Sequence, residues 1–158
     1  MDFQKFLNEY GETLKNGIIT EACVDDFFDL VLEMDRAEIR SIKSQLRRIY
    51  CHMLKYLYQP EKQTRSWITT IRDASRELYG FCNDSKYSWK SIIEEDTIRC
   101  YNNAINDASN ETGIDKRKFP KQMSDDFKME NVSDNDYIEN FLKSNAYSYE
   151  AKKTLYMI

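Results

Sequence analysis

Residues 35–60 read DRAEIRSIKSQLRRIYCHMLKYLYQP. Within them Ile39, Ile42, Leu46, Ile49, Met53 and Tyr56 step by three, four, three, four and three. That is an a/d heptad seam, and a side chain that returns to one face about every 3.5 residues specifies a helix packed along a single stripe. Pro60 stops it, because the residue before a proline is pushed out of helical backbone. At the other end Asp35, with Glu38 three residues on, reads as an Asp form of the capping box. The seam therefore predicts a helix over 36–59 that begins at Asp35.

Outward from the seam, the same period recurs on both sides. After the turn PEKQT, Thr64 or Ser66 can cap a helix over 64–82, with Trp67, Ile68, Ile71, Ala74, Leu78 and Cys82 on its buried stripe. A short turn between two such helices makes them antiparallel neighbours. Upstream, Phe3, Phe6, Leu7, Tyr10 and Leu14 mark a helix over 2–16 that Asn16-Gly17 ends, glycine being at ease in the left-handed C′ conformation. Thr20 or Asp25 caps a helix over 21–34, with Cys23, Phe27, Phe28, Val31 and Met34 on one side and Asp25, Asp26, Asp29 and Glu33 largely on the other. Downstream, Ser85 or Ser88 opens a helix over 86–112 that buries Trp89, Ile92, Ile93, Cys100, Ala104 and Ala108 and stops at Thr112-Gly113. Residues 113–133 read as an extended polar segment, and a last helix runs from Asp134 to about Lys143. The fold class is all-α, a helical bundle of about five to six helices with a long antiparallel helical hairpin. We expect one bundle domain over 1–143 and an amphipathic or mobile tail over 144–158.

Composition agrees. Four Gly and two Pro in 158 residues are too few for many tight strand turns, and 41% hydrophobic residues exclude a disordered chain. No apolar run is long enough to span a bilayer, and no leader opens the chain, so a cytoplasmic location with free thiols is expected for Cys23, Cys51, Cys82 and Cys100. The formal net charge of −4 is unevenly spread. Residues 1–35 hold nine acids and two lysines, residues 36–76 ten bases and three acids, and residues 77–158 fifteen acids and eleven bases. The basic stretch presents Arg36, Arg40, Lys43, Arg47 and Arg48, mostly on one helical face. Phosphates would suit that face, but the acidic helix before it supplies an internal counterpart of similar size, which is the preferred account.

The chain lacks the common enzyme constellations. It has one histidine, and no GxSxG, P-loop, GxGxxG or HExxH. The di-iron Glu-x-x-His pattern fails because Ile49 stands three residues before His52. A metal or acid–base site would have to combine His52 with Asp25, Asp29 or Glu33 from another helix, or with Lys55 and Arg72. Against that stands a histidine at the edge of the seam, hydrogen-bonded to its surroundings. Around the 60–64 turn, His52, Lys55, Gln59, Arg65, Trp67 and Arg72 form a candidate polar site, able to hold an anion or a carbonyl beside an indole. The competing account is a structured helix corner. No cofactor and no metal ligand set is assigned.

The same corner carries a resemblance. HMLKYLYQPEKQTRSW followed by ITTIRDA (52–74) resembles the signature of the bacterial family called domain of unknown function twenty-nine: a His-Leu-Leu-Lys run, then Gln-Pro, then Ser-Trp, then an Arg. His52, Lys55, Gln59, Pro60, Ser66, Trp67 and Arg72 match it. EMDRAE (33–38) and NETGIDKRKFP (110–120) are similar to two further family stretches, so the resemblance covers roughly residues 2–142. Two departures stand out: where the family carries adjacent glutamates this chain has only Asp29 and Glu33, and Asp35 replaces a glycine. The resemblance implies an all-helical bundle in bacterial cytoplasm and no established activity. The expected function is thus a protein-interaction or regulatory module without catalysis, with an unknown protein partner or a homodimer and Leu155, Tyr156 and Met157 of the tail as contacts. Nucleic-acid binding through the basic helix, or a small-ligand or metal site around His52, is the alternative. A membrane partner is not expected.

Overall fold

A computed structural model describes residues 2–84, 89 and 92–156. The elements among these residues are all helical, in the order α1 (Phe3–Lys15), α2 (Glu21–Tyr58), a 3-10 turn (Pro60–Lys62), α3 (Arg65–Asp84), α4 (Glu94–Thr112), two further 3-10 turns (Lys116–Lys118 and Asp125–Phe127), α5 (Met129–Val132), α6 (Asn135–Ser144) and α7 (Tyr149–Tyr156). No strand occurs among the described residues. Two compact units divide the chain, residues 1–40 and 41–158.

The punctuation lies where local chemistry puts it. Gly17 and Gly113 both take φ of 76° and close α1 and α4. Thr20 accepts the Cys23 N–H through Oγ1, Thr64 accepts that of Trp67, and Asp134 accepts those of Asp136 and Tyr137, so each ties down amide groups that a first helical turn leaves without partners. Asp35 is different. α2 runs from Glu21 to Tyr58 without a break, so the helix start expected there does not exist. A capping signal ends a helix only when the backbone has reason to leave helical geometry, and no Gly or Pro lies between Glu21 and Gln59. Residues 113–133 are likewise not extended: they fold into the two later 3-10 turns and α5. The expected start of a helix at Ser85 or Ser88 lies outside the described residues.

In the first unit, α1 and the start of α2 make a hairpin. Phe6, Tyr10, Cys23 and Leu30 form its buried cluster. The Phe6 ring lies 5.8 Å from that of Phe27, and the Tyr10 hydroxyl donates to Asp26.

In the second unit, the seam is the core. Ile42, Leu46, Ile49, Met53 and Tyr56 have no exposed surface, and α2 packs against α3, whose Ile68, Ile71, Ala74 and Leu78 are equally buried. This is the antiparallel hairpin. α4 lies along the other flank of α2. Tyr50, Tyr101 and Phe127 pack their rings at 5.2–6.2 Å. Three tyrosine hydroxyls then donate at 2.6 Å to carbonyls of the later chain: Tyr50 to Phe127, Tyr101 to Pro120 and Tyr56 to Leu142. Buried phenols need such acceptors, and these fix the segment after α4 against the hairpin. α6 and α7 pack on α3.

Candidate functional site

The helical period sets Lys43, Arg47, Cys51 and Lys55 in one row on α2, four residues apart. Facing them, α4 offers Asp96, Asp107 and Glu111. Lys43 pairs with Asp96 at 3.2 Å, Arg47 grips Asp107 with two bonds of 2.6 and 2.8 Å, and Lys55 reaches Glu111 at 2.8 Å. Asp96 also accepts the Ile93 N–H at 3.2 Å, opening α4. Burial alone would raise the carboxyls of Asp96 and Glu111, but their hydrogen bonds and the lysine charges carry both below the usual range. The Arg47 bonds do the same for Asp107. Lys43 and Arg47 of the basic face thus hold carboxylates of α4, the helix after it, and not of the acidic stretch before it. Within α2 itself, Glu33 engages Arg40 at 3.2 Å. Arg48 donates to Gln45 at 3.3 Å.

The cation of the last rung is the most enclosed of the three. The Lys55 side chain is 9% exposed, and its ammonium lies 4.9 Å from the centre of the Trp67 indole. It therefore spends its charge on a carboxylate and on an aromatic face together. Cys51 donates from Sγ to the same Glu111 oxygen at 3.5 Å. Burial and the nearby carboxylate hold that thiol up at about 12, so it stays protonated at neutral pH and is no nucleophile. His52 is half-buried, with Nδ1 3.0 Å from the Arg48 carbonyl. A carbonyl only accepts, so Nδ1 carries the proton and Nε2 keeps its lone pair. Burial is the main reason that His52 stays neutral to lower pH than an ordinary histidine.

The structure therefore gathers His52, Lys55 and Trp67 with Cys51 and Glu111, which the sequence did not single out as partners. It does not bring in the rest. Gln59 is buried at the start of the 3-10 turn, where its N–H closes on the Lys55 carbonyl at 2.9 Å. Arg65 is exposed, and its backbone N–H donates to Glu150. Arg72 turns to α6 and grips Glu139 with two bonds of 2.5 and 2.9 Å. Arg36 belongs to the first unit. Among the described residues, no group of three or more His, Cys, Asp and Glu side chains could hold a metal ion, and no helix is long and apolar enough to cross a membrane.

Gln63 is the residue that sequence reasoning missed. It is 1% exposed. Its amide nitrogen donates to the carbonyls of Tyr56 and Asn145 at 2.9 and 2.8 Å. Its amide oxygen accepts the N–H groups of Tyr147 and Ser148 at 2.8 and 3.1 Å, and its own carbonyl accepts the Ser148 hydroxyl. One side chain thus fastens the helix corner to the link between α6 and α7. No periodic pattern marks it, because the bonds run to backbone far along the chain.

The sequence model of Domain of unknown function DUF29 matches residues 1–138. The chain belongs to this family. The match takes in the whole α2–α4 ladder and the Gln63 corner, while the partners of Gln63 at 145–148 lie beyond it. No curated protein and no solved structure matches the chain.

Proposed function

We propose that this DUF29 chain is a protein-interaction module of the bacterial cytoplasm, without catalysis, and that its N-terminal hairpin is the surface it uses. The observation that carries this reading is an uncharged apolar face. Val24, Phe27, Phe28, Val31 and Met34 recur at helical spacing on α2, yet every one is exposed. Phe3, Leu7 and Leu14 are the exposed part of the α1 stripe. Exposures of 37–60% on eight large apolar side chains within one hairpin mark a binding surface rather than scattered surface residues. The cluster at Lys55 is less favoured as a site, because its ammonium is paired with Glu111, its thiol is protonated and one ring nitrogen of its histidine is held by the Arg48 carbonyl. Lys43 and Arg47 already hold carboxylates, so a phosphate would have to displace them. The tail contact expected from sequence is less favoured, since Leu155 is buried and the Tyr156 hydroxyl donates to the Lys143 carbonyl; Met157 lies outside the described residues.

The test is a photo-cross-linking amino acid placed in the full chain in cells, at position 28 on the face or at position 29 beside the acids. The reading expects covalent protein adducts from position 28 and none from position 29. Absence of adducts from position 28 would sink it.

A further inference from the structure

We infer that the partner on the hairpin face is a second copy of this chain, the two hairpins closing into a four-helix bundle. The inference rests on the interaction reading above and specifies its partner.

Helical geometry makes the face continuous. With 3.6 residues per turn, the apolar arc of α2 between Cys23 and Met34 covers more than half of the helix circumference. Only Cys23 and Leu30, at one edge of that arc, are buried. The exposed part of the α1 stripe begins beside Phe6 and Tyr10 and falls on the same side of the antiparallel pair. A two-helix hairpin with four buried residues has a minimal core, and bundles complete such a core with two more helices.

The charge pattern selects the occupant. Across this arc, from Cys23 to Met34, no charged residue interrupts the apolar surface; Asp25, Asp26, Asp29 and Glu33 lie on the remaining side. Over Cys23–Met34 two copies related by a two-fold axis can therefore meet without bringing carboxylates together, with Asp35 bounding the contact at its C-terminal end, and an isologous contact needs such self-compatibility. A membrane surface fits poorly. Helices that lie on lipid carry Lys and Arg beside the apolar face, whereas this one carries acids. Size fits as well. With such side chains presenting about 150–200 Å² when fully exposed, the eight exposures amount to roughly 700 Å² per copy, or about 1,400 Å² for a pair, inside the range of about 1,200–2,000 Å² for stable interfaces.

Sedimentation of the purified full chain tests this. The expected mass at micromolar concentration is twice 18.9 kDa. Val24→Asp with Phe28→Asp, which inserts unpaired carboxylates into the seam, should raise the dissociation constant at least about 100-fold while helical circular dichroism is kept. Should that variant unfold, a photo-cross-linker at position 28 in otherwise unchanged purified protein decides: a covalent species of twice the chain mass supports the pair, and its absence overturns it. A wild-type monomer, or a dimer that survives both aspartates in a folded variant, also overturns it. If the purified chain is monomeric while cells yield position-28 adducts with a protein of another mass, only the second copy fails. If cells yield none, the interaction reading fails too.

Discussion

Lys55 and Glu111 show how a charge is carried inside a helical bundle. The lysine is nearly enclosed and the glutamate half exposed, so the pair is asymmetric. Removing Glu111 strands an ammonium against an indole, whereas removing Lys55 leaves a carboxylate that water can reach. Glu111→Ala should destabilise by about 1–2 kcal/mol, and in a Lys55→Met background the same change should cost less than about 0.5 kcal/mol. Urea unfolding of the four proteins measures the coupling, and additive losses would show that the contact is not an energetic pair. His52 bears on pH. Its folded pKa is depressed below the ordinary 6.5, chiefly by burial, so the unfolded chain takes up a proton first as pH falls. Its contribution to stability is complete above about pH 7 and declines below 6.5 until folded His52 is protonated as well. His52→Gln should flatten the stability profile in that window; an unchanged slope between pH 7 and 5 would assign the dependence elsewhere.

Among elements, the corner between α2 and α3 is held from outside. Gln63→Ala would leave the buried Tyr56 carbonyl and the part-buried backbone groups of Asn145, Tyr147 and Ser148 without their partner. The expected cost is about 2–4 kcal/mol, a Tm lower by roughly 5–15 °C in a thermal scan. A loss below about 0.5 kcal/mol would mean that water replaces the amide without penalty. Element ends were legible wherever one residue imposes backbone geometry or caps it: Gly17, Thr64, Gly113 and Asp134. They were not legible at Asp35, whose capping chemistry is overridden by helix formers on both sides. Nor were they legible over 113–133, where local caps such as Asp115 act together with the Tyr50 and Tyr101 hydroxyls that reach in from α2 and α4.

For the molecule as a whole, periodicity identified the all-α bundle and its central hairpin because burial repeats with the helix. The site was legible only in part. The Lys55–Trp67 neighbourhood follows from a short corner, which joins the end of one helix to the start of the next. Glu111 and Gln63 could not be seen the same way, because their partners are set by which helices become neighbours and not by local spacing. The stripe Cys23, Phe27, Phe28, Val31 and Met34 is apolar in sequence, but spacing alone does not say whether an apolar stripe faces its own core or another surface.

The Gln63 fastening has a consequence in time. Its partner Ser148 lies 85 residues further along the chain. At about 5–20 residues per second, a ribosome needs roughly 4–17 s to supply it. The seam and α3 can pair in far less than that, since a helical hairpin forms from contacts close in sequence. For those seconds the Gln63 side chain has only the Tyr56 carbonyl within the corner, and the nascent hairpin is unlatched. Closure comes last and links distant parts of the chain, so synthesis order, rather than strength of contact, decides when this protein becomes resistant to unfolding from its C-terminal side.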